Sequence, residues 1–262
     1  MTELSQPRAQ DRSVDRRDVR RIATVTIAVL YAAGTAIASF GLPSLLTAWT
    51  TSGDEIGMRT HYVVWGLLAG VLLPAMALPL VRRPLVAPAQ QLAAFVVAAV
   101  VALAFAFEPE NARYTFFFAA PALALVLLHP ARRRLFSEGA WDPFMLAVAA
   151  LGAVPAGLYA FENLRMSAST HYLNPMHGEY QHNGLFAIAL VLSVVVAARR
   201  ASGWGWVAGS TTLCVAVLGF AGLVFPTDPG SPGTTGGVIA LALAVLLVAA
   251  STRPISSERR TS

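Results

Sequence analysis

Charged side chains are scarce in this chain. Only 13% of its 262 residues are Asp, Glu, Lys or Arg, while 56% are hydrophobic. A soluble domain carries about 25% charged residues to cover its water-facing surface. Together with a mean hydropathy of +0.60, this composition excludes a soluble globular protein and predicts an integral membrane protein.

Cysteine and lysine are scarcer still. The single cysteine, Cys214, excludes a disulfide-stapled secreted fold. All 19 basic residues are arginine, which together with abundant Ala, Val, Leu and Gly is typical of a GC-rich bacterial genome. In a soluble protein the net charge of +5 would indicate a nucleic-acid partner. Here the positions of the arginines explain the charge, so no nucleic-acid partner is expected.

Long apolar runs are the main feature of the sequence. A helix needs about 20 such residues to cross the hydrocarbon core, whereas a β-barrel shows alternating segments instead of continuous runs. We count eight candidate spans: residues 22–42, 62–81, 91–107, 114–129, 143–161, 183–198, 204–225 and 236–250. The fourth, sixth and eighth are short and are expected to extend by a turn. The predicted fold is all-α, a polytopic bundle of eight transmembrane helices.

The positions of the arginines predict the orientation of the spans. With the N-terminus in the cytoplasm, 16 of the 19 arginines fall in inside segments, and only Arg59, Arg113 and Arg165 fall in outside loops. Both termini are therefore expected in the cytoplasm, in a bacterial plasma membrane. Residues 1–21 are predicted to be a disordered basic tail and residues 252–262 a second cytoplasmic tail.

The eight spans fall into two sets of four, residues 22–134 and 135–251. In each set a long outer loop follows the first span, residues 43–61 and 162–182. Short sequence matches at an offset of about 120 residues favour a duplication. Because four is an even number, the halves would point the same way around an axis along the membrane normal, and a shared site is expected on that axis.

Charged residues are almost absent from the middle of the predicted spans. This absence disfavours ion-coupled transport, because ion-coupled carriers and proton relays need ionisable groups at membrane depth. Glu162 and Arg165, at the end of the fifth span, are spaced to pair with each other.

Two local patterns predict packing and helix capping. The small-residue pairs Gly66/Gly70 and Gly205/Gly209 predict close helix contacts of the GxxxG type. Asp142 precedes Pro143, which is the pattern of an N-terminal cap with proline in the first helical turn.

Ligand-type side chains cluster on the predicted outer side. His61 and His182 open equivalent spans of the two halves, so their rings are expected to face each other near the outer surface. His171, His177 and Glu179 accompany His182, and Glu179 and His182 have the Glu-x-x-His spacing of carboxylate metal sites in helix bundles. These five residues are the predicted ligands of a transition metal such as Zn, Cu, Fe or Mn. Solvated or capping roles, and acid–base work on a substrate, are the alternative interpretations.

The topology is broadly similar to that of haem A synthase. The likeness lies in two four-helix halves, in long outer loops after spans one and five, and in His61 and His182 at the start of spans two and six. The resemblance implies a haem held by histidines at the outer face. That family also has a glutamate close before its first outer-loop histidine, where this chain has only Glu55, and outer-end histidines on spans four and eight, which residues 114–115 and 236–237 lack. We therefore assign no family.

Three classes of function follow from these patterns. The first is a metal- or haem-handling, redox-type membrane protein that uses the outer histidine cluster. The second is a structural or accessory subunit that binds partner subunits in the lipid bilayer. The third is a facilitator that passes a small or lipid-like solute without ion coupling. The substrate itself stays unknown at this level.

The metal hypothesis makes one measurable prediction. Detergent-purified protein is expected to carry near-stoichiometric metal or a haem absorption band, and the double variant His177→Ala plus His182→Ala is expected to lose it. Elemental analysis together with an absorption spectrum makes the measurement. Neither metal nor chromophore in protein from fresh membranes would contradict the hypothesis.

Overall fold

The structure is a computed structural model that describes residues 16–38, 40–51, 58–106, 109–169 and 177–253. Within these ranges the protein contains ten α-helices and no strand, which confirms the predicted all-α class. The helices are α1 (Arg16–Ile37), α2 (Leu42–Thr50), α3 (Arg59–Leu67), α4 (Leu73–Arg82), α5 (Val86–Ala106), α6 (Pro109–Leu128), α7 (Pro143–Ser169), α8 (His177–Ala198), α9 (Trp204–Val224) and α10 (Gly233–Thr252).

Seven helical stretches in the described part of the chain are long and apolar enough to cross a membrane. α1 and α2 together count as one stretch, Asp18–Thr50, and α3 and α4 together count as another, Arg59–Arg82. The predicted fourth span corresponds to α6, whose apolar part, Ala112–Leu128, is shorter than the others. The helices α6, α8 and α10 begin before their predicted starts, as expected for the short runs.

The first span is broken near its middle. α1 ends at Ile37, and α2 begins at Leu42 and continues to Thr50. The long outer loop predicted for residues 43–61 is therefore wrong over this stretch. Pro43 lies in the first turn of α2, where its missing N–H costs no intrahelical hydrogen bond. α1 packs against α4, whereas α2 packs against α3, so the two pieces follow one neighbouring helix.

That neighbouring helix is irregular at the same level. Leu68–Leu72 form a π-helical turn between α3 and α4, and Pro74, which lacks an N–H, follows it. A Cβ added to Gly70 in this turn would lie 2.8 Å from the backbone nitrogen of Leu42 and 3.1 Å from the carbonyl carbon of Gly41. The break in the first span and the π turn therefore meet backbone to backbone.

One of the two predicted glycine contacts is confirmed and the other is wrong. A Cβ at Gly66 would lie 2.7 Å from the backbone nitrogen of Leu45 in α2, so Gly66 and Gly70 do allow a close approach. By contrast, a Cβ at Gly205 or Gly209 would meet no atom of the described chain within 4 Å. The reason is that this part of α9 faces outward, away from the helices that pack on it.

The second close helix contact lies further along α9. A Cβ at Gly237 in α10 would lie 2.7 Å from the carbonyl oxygen of Gly219, and a Cβ at Gly222 would lie 3.1 Å from the Cα of Gly237. Here α9 and α10 approach each other to backbone distance.

We describe the helices as a first unit (α1–α6) and a second unit (α7–α10). In the first unit each span contacts the next, and α6 packs back on α1. In the second unit α7, α8, α9 and α10 make the same closed ring of contacts. α5 against α8 is the main contact between the units, and a buried hydrogen bond crosses it, in which Gln91 Nε2 donates to Ser193 Oγ over 2.8 Å.

The two ends of the bundle differ in chemistry. We call the end at which α4, α6, α8 and α10 finish the arginine end, and the end that holds His61 and His182 the histidine end. The arginine end carries Arg82, Arg132, Arg133, Arg134, Arg199, Arg200 and Arg253.

Arg200 ties three helices of the second unit together at the arginine end. Its guanidinium contacts the Asp142 carboxylate at 2.5 Å, donates to the carbonyl of Ala250 over 2.9 Å and lies 3.6 Å from the ring centroid of Trp204. Arg200 has a φ of 51°, in the left-handed region that L side chains rarely adopt. These contacts hold it in that conformation, immediately after α8 ends.

Asp142 caps α7, as the sequence predicts. Its carboxylate accepts the N–H of Phe144 over 2.9 Å and that of Met145 over 3.2 Å. Burial disfavours the ionised form, but the hydrogen bonds from Arg200 and from these two N–H groups outweigh burial and hold the pKa of Asp142 below its usual value. The pair with Arg200 therefore stabilises the fold at neutral pH, and this contribution is lost as the pH falls through the lowered pKa.

The glycine contacts generate a paired stability prediction. Gly237→Ala should destabilise the protein by about 1–3 kcal/mol, because the added methyl group collides with backbone. Gly209→Ala should be neutral, or stabilising by up to about 1 kcal/mol, because it only improves helix propensity. Thermal unfolding in detergent measures both. Equal melting temperatures for the two variants would show that α9 and α10 do not meet at Gly237.

Candidate functional site

Two of the predicted ligand residues meet at the histidine end. His61 lies in the first turn of α3, and Trp65 lies one turn deeper on the same face. His182, from α8 of the other unit, packs on this tryptophan with ring centroids 4.4 Å apart, and the His61 and Trp65 centroids are 5.8 Å apart. Both histidines are buried. His61 and His182 thus both pack on Trp65, where α3 contacts α8.

An aromatic layer lies beneath the histidines. Phe40 and Phe118 each contact Trp65, with centroid distances of 5.4 and 5.5 Å, and contact each other at 5.3 Å. The hydroxyl of Tyr31 donates to the carbonyl oxygen of Phe118 over 2.8 Å, which joins α1 to α6. The two imidazoles therefore lie next to a packed layer of aromatic side chains.

Of the five predicted metal ligands, His61 and His182 have described side chains. His171 and the side chains of His177 and Glu179 lie outside the described residues, although the backbone of α8 includes positions 177 and 179. Among the described residues, no group of three or more His, Cys, Asp or Glu side chains is placed to hold a metal. Protein zinc sites use three or four side-chain ligands. At the histidine end the described residues contribute two imidazoles at most, those of His61 and His182. The five-residue metal site stays a prediction.

A loop from the second unit caps a helix of the first. The carboxylate of Asp228, between α9 and α10, accepts the N–H of Arg59 over 3.1 Å and the N–H of Thr60 over 2.6 Å. Both N–H groups lie in the first turn of α3. Groups in that position have no carbonyl partner within their own helix. The Arg59 guanidinium lies 5.0 Å from the Phe225 ring centroid and donates to the carbonyl of Thr51 over 2.7 Å. Asp228 therefore joins the two units just beside His61.

The same loop also closes the second unit. The Tyr159 hydroxyl donates to the carbonyl of Gly230 over 2.8 Å. Gly230 has a φ of +73°, and a Cβ there would lie 2.5 Å from Asn183 Nδ2. Asn183 Nδ2 in turn donates to Asn163 Oδ1 over 3.1 Å, so a buried amide pair joins α8 to α7 beneath the loop. Residues 225–231, which we call the strap, thus contact α3, α7 and α8.

Sequence reasoning did not find the strap or its partners. Asp228 is separated from Thr60 by 168 positions, and no local pattern connects them. The available signal was weak: an Asp-Pro-Gly turn, residues 228–230, in a chain that has few carboxylates.

The second unit contains a partly open apolar cavity of about 460 Å³. This volume falls in the range of small-molecule sites, about 300–1,000 Å³. The lining combines small and branched apolar residues from all four helices, including Gly152 and Ala156 of α7, Val194 of α8, Leu218 of α9 and Gly236, Ala240 and Leu243 of α10. Part of the lining is also exposed on the outside of the bundle, notably Leu158 and Ile239. The cavity therefore opens sideways between α7 and α10, which touch each other less closely than α7 touches α8.

Polar groups are confined to one end of the cavity. Tyr159, Glu162, Ser231 and Thr235 line it at the histidine end, and Glu162 is the sole charged side chain that the described residues contribute to the lining. Its carboxylate oxygens accept from Arg165 over 2.7 and 3.2 Å, which confirms the predicted pair. The cavity thus combines an apolar interior with a polar end beneath the strap. We call this polar end the mouth of the cavity.

Comparison with protein-family models, with curated proteins and with solved structures finds no match for this chain.

The strap contacts generate a prediction about Asp228. Asp228→Ala should destabilise the protein by about 0.5–2 kcal/mol, because the first turn of α3 loses its cap. Amide hydrogen exchange should accelerate at residues 59–62 and stay unchanged at the arginine end of α4. As a control, Asp18→Ala, at an exposed position in the first turn of α1, should leave exchange at residues 59–62 unaltered. Unaltered exchange at residues 59–62 in Asp228→Ala would contradict the capping role.

Proposed function

We propose that this chain is a membrane protein that binds a lipid-like solute in the cavity of its second unit and passes it without ion coupling. The observation that carries the proposal is the cavity itself: about 460 Å³, lined by apolar side chains of four helices, polar at one end and open sideways between α7 and α10. A site of this shape accepts an elongated apolar molecule that enters from the side.

The placement of charge supports a facilitator rather than an ion-coupled carrier. In the described helices, charged residues lie near the helix ends, and the cavity lining holds only Glu162, already paired with Arg165. Ion coupling needs an ionisable group at membrane depth.

The membrane context is part of the same proposal. We propose eight transmembrane spans, with the broken first span counted once and α6 counted as the fourth. The arginine end would face the cytoplasm with both chain termini, in a bacterial plasma membrane, because 16 of the 19 arginines then lie inside. The histidine end and the cavity mouth would face outward. The closed ring of contacts in each unit supports a duplicated arrangement of residues 22–134 and 135–251.

A second candidate function is metal or haem handling at the histidine end. The supporting observation is that His61 and His182 come from different units and pack on the same tryptophan, Trp65. The remaining ligands of this proposal are His171, His177 and Glu179. The metal analysis described above tests it independently of the cavity.

A pair of glycine variants on one helix tests the cavity proposal. Gly152 lines the cavity, where an added side chain projects toward Leu243, whereas Gly157 lies on the exposed face of the same helix with no described atom within 4 Å of its Cβ position. Gly152→Leu should reduce labelling by a diazirine-bearing alkane in reconstituted vesicles roughly fivefold or more, because the larger side chain overfills the site. Gly157→Leu should label like the wild type.

Mapping the labelled peptides completes this test. Wild-type labels are expected on cavity-lining residues of α7 and α10. Labels spread evenly over lipid-facing helices, or equal labelling of Gly152→Leu and Gly157→Leu, would overturn the proposal.

A further inference from the structure

We infer that the cavity selects a lipid-like molecule whose polar head group is uncharged, such as an alcohol, an ester or a quinone. The inference rests on the proposed function and specifies the class of molecule that the same site takes. Three properties of the cavity carry it: its length, the charge balance at its mouth and the hydroxyl groups there.

The length of the cavity suits a hydrocarbon chain. From Val148 to Glu162 the lining follows α7 for about 21 Å, at a rise of about 1.5 Å per residue. The lining is apolar along α7 up to Tyr159 and Glu162, so an extended chain can lie along it with its head group at the polar end.

The mouth of the cavity is balanced in charge. Both carboxylate oxygens of Glu162 accept hydrogen bonds from Arg165, so the carboxylate and the guanidinium neutralise each other. An anionic head group would lie against Glu162 and a cationic one against Arg165, and neither would find an uncompensated partner. An uncharged head group avoids both repulsions, which is how a site discriminates by charge without a strong attraction.

Hydroxyl groups supply the polar contacts at the mouth. Ser231 Oγ accepts the N–H of Gly233 over 3.1 Å, which leaves the hydroxyl hydrogen as a donor. Thr235, in the first turn of α10, also lines this end of the cavity. Since a hydroxyl both donates and accepts, these two residues match the alcohol, ester or carbonyl oxygen of a neutral lipid.

Three photoreactive probes with the same alkyl chain and different head groups test the inference. The probes carry a diazirine in the chain and end in an alcohol, a carboxylate or a quaternary ammonium group. In vesicles that contain the wild-type protein, the alcohol is expected to label cavity peptides most strongly. Labelling by the carboxylate or ammonium probe at or above the level of the alcohol would overturn the inference.

Charge variants at the mouth sharpen the test. Glu162→Gln leaves Arg165 uncompensated, so labelling by the carboxylate probe should rise about two- to fivefold relative to the alcohol, the range of an exposed ion pair. Arg165→Gln should produce the same gain for the ammonium probe. Arg113→Gln, which removes an exposed arginine of α6 outside the cavity, should change neither ratio. Unchanged ratios in both mouth variants would overturn the inference.

The two proposals fail in different ways. If the cavity binds no lipid, the alkane probe and all three head-group probes label the wild type and Gly152→Leu equally. If the cavity binds lipid and only the head-group inference is wrong, Gly152→Leu still blocks labelling, and the ranking of the three probes differs from the expected one.

Discussion

Every backbone N–H and C=O group in a membrane interior has to find its partner within the protein, because hydrocarbon offers none. In this chain the charged capping side chains lie at the ends of the helices, where the first N–H groups and last C=O groups lack intrahelical partners. Asp142 satisfies the first turn of α7, Arg200 reaches the last turn of α10 through Ala250, and Asp228 satisfies the first turn of α3 from a distant loop. The two histidines and the polar end of the cavity occupy the same zone, whereas the rest of the cavity is apolar.

The architecture was largely accessible from the sequence, for the same physical reason. A run of about 20 apolar residues has few alternatives to a membrane helix, so the all-α class and most helix positions follow directly. Local capping was equally readable at Asp142, because the cap and the N–H groups it binds are neighbours in the chain. The broken first span was not readable, since residues 22–50 are apolar on both sides of the break and only contact with Gly66 and Gly70 reveals it.

The candidate sites are less predictable from the sequence than the helices are. The sequence places His61 and His182 at the same end of the bundle, because both begin a span on the same side, but it does not indicate that both rings pack on Trp65. The sequence does not reveal the cavity, because small residues occur both where two helices touch and where a space lies between them. Gly219 and Gly237 let two backbones touch, whereas Gly152 and Ala156 on α7 and Gly236 and Ala240 on α10 leave open space between helices. The spacing is four residues in both cavity-lining pairs, as in the predicted contact motifs, and only the separation of the helix axes decides between contact and space.

The sideways opening between α7 and α10 has a thermodynamic consequence for whatever occupies the cavity. A molecule that enters there leaves hydrocarbon rather than water, and hydrocarbon is as apolar as the leucines that receive it. The hydrophobic effect therefore contributes little net affinity, and occupancy depends on shape, on the head group and on the mole fraction of the molecule in the bilayer. The relevant binding constant of such a site is a two-dimensional one, expressed per lipid instead of per litre.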